Sequence, residues 1–181
     1  KKVGILTGGS TGNRHQFYRE WLRAIGSSES RLYTYESNAL YATMAQAHSI
    51  AFGVEALPRI DLRQASTIVG IGSDFLDVGV SPVYFAKSFS DARSLKGGKM
   101  ARLVQFESAM TVTGGRADER HVIAPNAELV TTLLLMKSLS DRADAKGPAN
   151  AKAIAKKILS ANAAAISGGY EAVGVEKSVF D

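Results

Sequence analysis

The chain has 181 residues, no cysteine and a formal net charge of +5. That length suits one domain with a full hydrophobic core. The lack of thiols excludes disulfides, cysteine-ligated zinc, iron–sulfur ligation and a thiol nucleophile within it. The basic residues are scattered and not interleaved with aromatics, which argues for a solvated surface and against nucleic-acid binding. No apolar run nears the ~20 residues of a membrane-spanning helix.

The chain opens on Lys1 and a strand follows at once, the pattern expected of a domain excised from a longer protein. Val3-Gly4-Ile5-Leu6 is a short buried strand that runs into the turn Thr7-Gly8-Gly9-Ser10-Thr11-Gly12. Asn13 is placed to cap a helix, with Gln16 at the third position of a capping box. Phe17, Trp21, Ala24 and Ile25 then repeat at helical spacing, and Gly26 stops the helix. Leu32-Tyr33-Thr34-Tyr35 alternates like a strand. Asn38 is expected to cap a second helix that ends at Gly53, and Leu57 to Asp61 is a connection.

Thr67–Ile71 is apolar throughout, as in strands buried on both faces of a parallel sheet. Ser81 caps a helix with Pro82 at its first position, where a missing N–H costs nothing. That helix is expected to reach Leu95, and Gly97-Gly98 turns the chain between Lys96 and Lys99. Ala101 to Phe106 is a fourth strand, and His121-Val122-Ile123 a short fifth. Asn126 is expected to cap a helix from Ala127 to Leu139. A polar turn from Asp144 to Asn150 leads to an alanine-rich helix over residues 151–167, with Lys152, Lys156 and Lys157 on it. Alternating strands and helices imply one α/β domain over residues 1–181. It is expected to be a three-layer Rossmann-like fold with a mainly parallel sheet of four or five strands. In such sheets ligands sit at the carboxyl ends of the strands. That directs attention to the loops Gly8–Asn13, Gly72–Ser81, Glu107–Asp118 and Pro125–Glu128.

Gly8-Gly9-Ser10-Thr11-Gly12 matches Gly-x-Ser-x-Gly, the nucleophile elbow of serine hydrolases. The elbow needs an earlier strand to supply an oxyanion donor, and almost nothing precedes this one. As a phosphate loop the segment lacks the Gly-Lys-Ser/Thr ending. As a dinucleotide fingerprint it has Gly9 and Gly12, with Thr7 where the first glycine belongs. Glu36, a little over ~20 residues past Gly12, stands where a ribose-binding acid is found. Backbone N–H groups of Gly8, Gly9 and Ser10 at a helix start suit an anion. These features leave open a self-standing nucleotide-binding α/β protein that uses the Gly8–Asn13 loop.

Gly72, Ser73 and Asp74 follow the third strand, where Asp74 is either an acceptor for ribose or guanine or a turn carboxylate. Glu107 follows the fourth strand and Asp118 closes the next loop. Glu128, in a first helical turn, is explained by the helix dipole. His15, His48 and His121 are dispersed, and no His/Asp/Glu spacing suggests a metal site.

The order of four segments resembles the molybdopterin oxidoreductases. They are Gly72-Ser73-Asp74, then Val104-Gln105-Phe106-Glu107-Ser108, then Thr111 to Asp118, then Ile123-Ala124-Pro125-Asn126-Ala127-Glu128. Phe52 to Asp61, Asp74-Phe75-Leu76 and Ser81-Pro82 are similar to the large quinol-oxidising subunit of alternative complex III and related complexes. The similarity covers about residues 1–140. The resemblance implies a cofactor domain whose loops face molybdopterin guanine dinucleotide. Gly72, Ser73 and Asp74 would then lie at one nucleotide, with Glu107 and Asp118 nearby. It implies an oxidoreductase parent on the periplasmic side of the bacterial inner membrane. Its partners would be the remaining domains of the parent and the iron–sulfur and membrane subunits of a respiratory complex. Two departures lead us to expect the cofactor to be absent and the domain to be inactive by itself. Ser108-Ala109 stands in place of Pro-Arg, which removes a phosphate-pairing guanidinium. Asn126-Ala127-Glu128 stands in place of Gly-Thr-Asp, which removes a glycine that permits close backbone approach.

Overall fold

The computed structural model describes residues 3–10, 12–37, 40–95, 100–142 and 150–180. Thr11, Asn38, Lys96, Lys99, the Gly97-Gly98 turn and most of the Asp144–Asn150 turn lie outside the described residues. The chain divides into two compact units, Lys1–Ile60 and Asp61–Asp181.

In the first unit, β1 (Ile5–Thr7) runs parallel to β2 (Leu32–Thr34), with Ile5 opposite Leu32 and Thr7 opposite Thr34. Parallel neighbours need a crossover, and α1 (Arg14–Ala24) supplies it. The helix starts where Asn13 predicts, but the expected capping box does not form. Asn13 makes no side-chain cap bond, and the Gln16 amide donates instead to Glu20 Oε1 at 2.9 Å. That i,i+4 partner lies on the same helix face and is closer at hand. Gly26, at φ +72°, ends the helix in the left-handed conformation that glycine adopts without strain. The Ser27 hydroxyl donates to the Val3 carbonyl at 2.6 Å, which ties the end of α1 back to the approach to β1. After β2 comes α2 (Leu40–Phe52). Leu22 is the one residue of this unit that is buried among those described.

In the second unit, β3 (Thr67–Ile71), β4 (Arg102–Glu107) and β5 (Glu119–Val122) form a parallel ladder with β4 in the centre. Ile68 lies opposite Leu103, Ile71 opposite Phe106, and Phe106 opposite His121. Because strand side chains alternate between faces, β4 contributes to two cores. Leu103 joins Ile68, Ala101 and the α3 (Pro82–Ala92) residues Phe89 and Ala92. Phe106 joins Ile123, Ala127, Val173, Phe180 and Leu134 of α4 (Glu128–Asp141). Phe106 also stacks on Phe180 at a centroid separation of 5.6 Å.

Three helix boundaries differ from expectation. α3 stops at Ala92, short of Leu95, and the guanidinium of Arg93 turns back to the Ala101 carbonyl at 2.8 Å. α4 starts at Glu128, with Ala127 and not Asn126 at the cap position. α5 (Ala151–Ala161) ends six residues early. The Asn162 side chain donates to the Ile158 carbonyl at 2.9 Å there, and residues beyond it continue in turns.

The five strands sit close to the expected segments and pair in parallel throughout. The expectation of a single sheet of four or five strands is corrected: among the described residues they form one ladder of two strands and one of three. β1 and β2 are three residues each, so each offers only a few ladder bonds, and these are made within the pair. Gly53, Pro58 and the Asp61–Arg63 turn fill the stretch at which the two units divide.

Candidate functional site

The parallel ladder of the second unit brings two loops to its carboxyl edge, residues 72–81 after β3 and residues 108–118 after β4. Gly72 takes φ +59°, and its N–H donates to the Phe106 carbonyl at 2.8 Å, one residue past the end of the β3–β4 register. A Cβ at Gly72 would lie 2.7 Å from Glu128 Cγ. A side chain here would have to displace the stem of Glu128, which reaches over from the first turn of α4, and the left-handed φ itself favours glycine.

Leu103, Gln105 and Glu107 share one face of β4. The first lies in the apolar core, and the next two form a buried polar plug at the carboxyl end. Glu107 is 2% exposed. Its Oε2 accepts from the Thr111 hydroxyl at 2.6 Å, and its Oε1 accepts from the Thr111 N–H at 3.3 Å and Arg120 Nε at 2.5 Å. Burial by itself would raise this carboxyl. The Thr111 hydroxyl and the Arg120 guanidinium outweigh burial and hold it below the ordinary glutamate range. A Cβ on Gly114 would collide with the same carboxylate.

Gln105, fully buried, donates through Nε2 to the Ser73 carbonyl at 3.1 Å and to Glu107 Oε2 at 3.4 Å. Its Oε1 has no hydrogen-bond partner among the described residues and presses against Gly70. Asp74 Oδ1 accepts from the Thr113 hydroxyl at 2.7 Å and the Thr113 N–H at 3.0 Å, and that hydroxyl accepts from Leu76 N–H at 3.1 Å. Asp74 is thus engaged across the two loops, and its backbone carbonyl also accepts from Val78 N–H at 2.9 Å.

The fold does not bring Asp118 to this group. It precedes β5 at the amino edge, where its carboxylate takes two bonds from Arg93, at 2.5 and 2.9 Å, and one from Leu103 N–H at 2.8 Å. Leu103 and Glu107 lie four positions apart along β4, on the order of 13 Å. The Arg93 hydrogen bonds, followed by that from Leu103, hold the Asp118 carboxyl down at about 2.

In the first unit, Gly8, Gly9 and Ser10 follow β1 as expected. A Cβ on Gly8 would meet nothing within 4 Å, whereas one on Gly9 would run into the Glu36 carboxylate and the Tyr41 ring. Glu36, two residues past β2, therefore lies against the glycine loop, and its Oε2 accepts from Tyr41 N–H at 3.2 Å. Ser10 Oγ is a buried atom with no hydrogen-bond partner among the described residues. His15 lies instead within 3.4 Å of the Thr34 hydroxyl. A hydrolytic serine needs a base within hydrogen-bond reach, and Ser10 has none there. No group of three or more His, Asp or Glu side chains among the described residues is arranged to hold a metal ion.

No protein-family model and no curated protein matches this chain.

The carboxyl-edge residues Gly72, Ser73, Asp74 and Glu107 were legible from strand ends followed by polar turns. Gln105, Arg120 and Thr113 were not singled out. The signal for Gln105 was available: it occupies the same face as Leu103 and Glu107, two residues from each, inside a run that otherwise reads as buried strand.

Proposed function

We propose that this chain is a Rossmann-like cofactor-domain module of a molybdopterin-oxidoreductase-like subunit. The parent would work in a membrane-associated complex that passes electrons to or from quinones, with iron–sulfur centres on other segments or subunits. The observation that carries this reading is the carboxyl edge of β3 and β4. There a left-handed Gly72, the Ser73-Asp74 turn, Glu107 and the Thr111–Gly114 loop converge in the order in which the resembling family arranges its nucleotide-facing loops. Asn126, at φ +62°, keeps the left-handed backbone where the family has glycine, and asparagine is among the residues that tolerate it.

The residues at this edge do not fit a guanine dinucleotide. Two phosphates require cations or free N–H groups. Arg120 is paired with Glu107 through its Nε, and the Thr113 N–H is engaged by Asp74. The space above Gly72 holds the Glu128 stem. The side chains of the edge bond chiefly to one another, which suits a scaffold better than a cofactor cradle. The module performs no chemistry by itself, and its role is to present folded α/β surfaces to the rest of the complex.

The test is to tag the natural gene product that contains this sequence and isolate it from membranes under mild detergent. Co-purification of iron–sulfur and membrane subunits, with quinol-dependent reduction of the iron centres, is the expected result. A free chain without iron absorbance would overturn the reading. The Glu36–Gly9 contact favours a second one, a self-standing protein that binds a nucleoside phosphate at the Gly8–Asn13 loop. Saturable nucleotide binding by the free chain, lost in Glu36→Ala, would favour that alternative.

A further inference from the structure

We infer that Thr113 locks the two carboxyl-edge loops of the second unit into one body, so that they open together or not at all. Thr113 is fully buried. Its N–H and its hydroxyl both point across the loop boundary, while its carbonyl accepts from Arg116 N–H at 3.1 Å within its own loop. The N–H and the hydroxyl donate to Asp74 Oδ1 at 3.0 and 2.7 Å, while the hydroxyl oxygen accepts from Leu76 N–H at 3.1 Å. The hydroxyl thus spends its proton on one residue of the opposite loop and a lone pair on another.

Each loop is separately fastened to β4. Ser73 O receives Gln105 Nε2 at 3.1 Å. The Thr111 hydroxyl donates to Glu107 at 2.6 Å while accepting from Gly114 N–H at 3.0 Å. Moving loop 72–81 alone would strand the buried Thr113 donors. Moving loop 108–118 alone would strand Leu76 N–H and uncover Glu107. Unpaired buried polar groups carry the full desolvation cost, so opening either loop carries most of the cost of opening both. Access to the Gln105–Glu107 plug is therefore a single event controlled by one threonine. This coupling holds whatever the domain's partner or cofactor.

Amide hydrogen exchange on the full 181-residue chain tests it. Thr113→Val should speed exchange by about tenfold or more at Leu76, Asp77 and Val78 as well as at residues 113–115, leaving the β3–β4 ladder protected. Thr113→Ser, which keeps the hydroxyl, should restore protection in both loops. Acceleration confined to residues 111–116 would overturn the inference. If Thr113→Val destabilises the whole unit, so that β4 amides exchange as well, Asp74→Ala decides. Increased exchange at 113–115 from this change in the other loop is expected, and unchanged exchange there overturns the coupling.

Discussion

A Cβ placed on Gly114 would run into the Glu107 carboxylate, whereas one placed on Gly8 would meet nothing within 4 Å. The two glycines look alike in sequence, but only the first is required by its surroundings. Gly114→Ala should destabilise the second unit by about 1–3 kcal/mol, the usual cost of overpacking a filled site. Gly8→Ala should shift stability by no more than about 1 kcal/mol, because its site has room for a methyl group. Urea unfolding followed by circular dichroism measures both. Asp118 makes a different prediction. Its folded pKa, held at about 2 by Arg93 and then by Leu103 N–H, lies below the ordinary value of ~3.9. A depressed carboxyl adds stability that is present above the unfolded pKa and is lost as pH falls through the folded one. Asp118→Asn should therefore lower the melting temperature near neutrality and flatten its decline between about pH 4 and 2, as a series of thermal melts would reveal. Asp118 was legible as a polar loop carboxylate but not as a partner of Arg93. The pairing depends on α3 ending at Ala92 and turning Arg93 toward the start of β4, and no local spacing encodes that.

The strands were readable because apolar runs of the right length have few other places to go in a small α/β unit, and Thr67–Ile71 was delimited to the residue. Helix starts were placed well, but their capping chemistry was not. Asn13 and Ser81 stand at cap positions without making side-chain cap bonds, because propensity for a position does not guarantee the rotamer. The junction from β5 to α4 shows the same limit. Asn126 was read as a cap from its residue type, yet it takes φ +62° in a turn closed by the Ala127 N–H to Ala124 carbonyl bond at 3.1 Å. A left-handed residue with a Cβ costs about 1–2 kcal/mol, and asparagine bears that cost better than most. Asn126→Gly should be neutral or stabilising by up to about 1 kcal/mol, and Asn126→Ala destabilising by about 1 kcal/mol. Denaturant midpoints of the two variants in parallel would test this, and equal midpoints would sink the argument. How the strands divide into two ladders was not legible, because hydrophobic pattern assigns faces and leaves strand neighbours open.

The two units differ in how much they bury by themselves. The second holds two apolar clusters on either side of β4, while Leu22 alone is buried among the described residues of the first. Local stability follows buried contact density. Amides of Lys1–Ile60 should accordingly exchange well before those of Leu103 to Phe106, and limited proteolysis should leave the second unit as the longer-lived fragment. The same contrast in packing bears on the cofactor. A guanine dinucleotide would have to draw its affinity from the carboxyl edge of β3 and β4, where Glu128, Asp74 and Glu107 are acceptors and Arg120 is already paired. The arginine that the resembling family places after Glu107 is replaced by Ser108-Ala109. Losing one such charged contact costs on the order of 1.5–3 kcal/mol, roughly ten- to a hundredfold in affinity. Opening the Thr113-linked loops to admit a ligand would add to that cost. The purified chain is therefore expected to carry neither molybdenum nor pterin, as elemental analysis and pterin fluorescence after oxidative release would measure. A near-stoichiometric signal in either would mean that the edge loops rearrange to expose donors now spent on one another, and the scaffold reading would then fail.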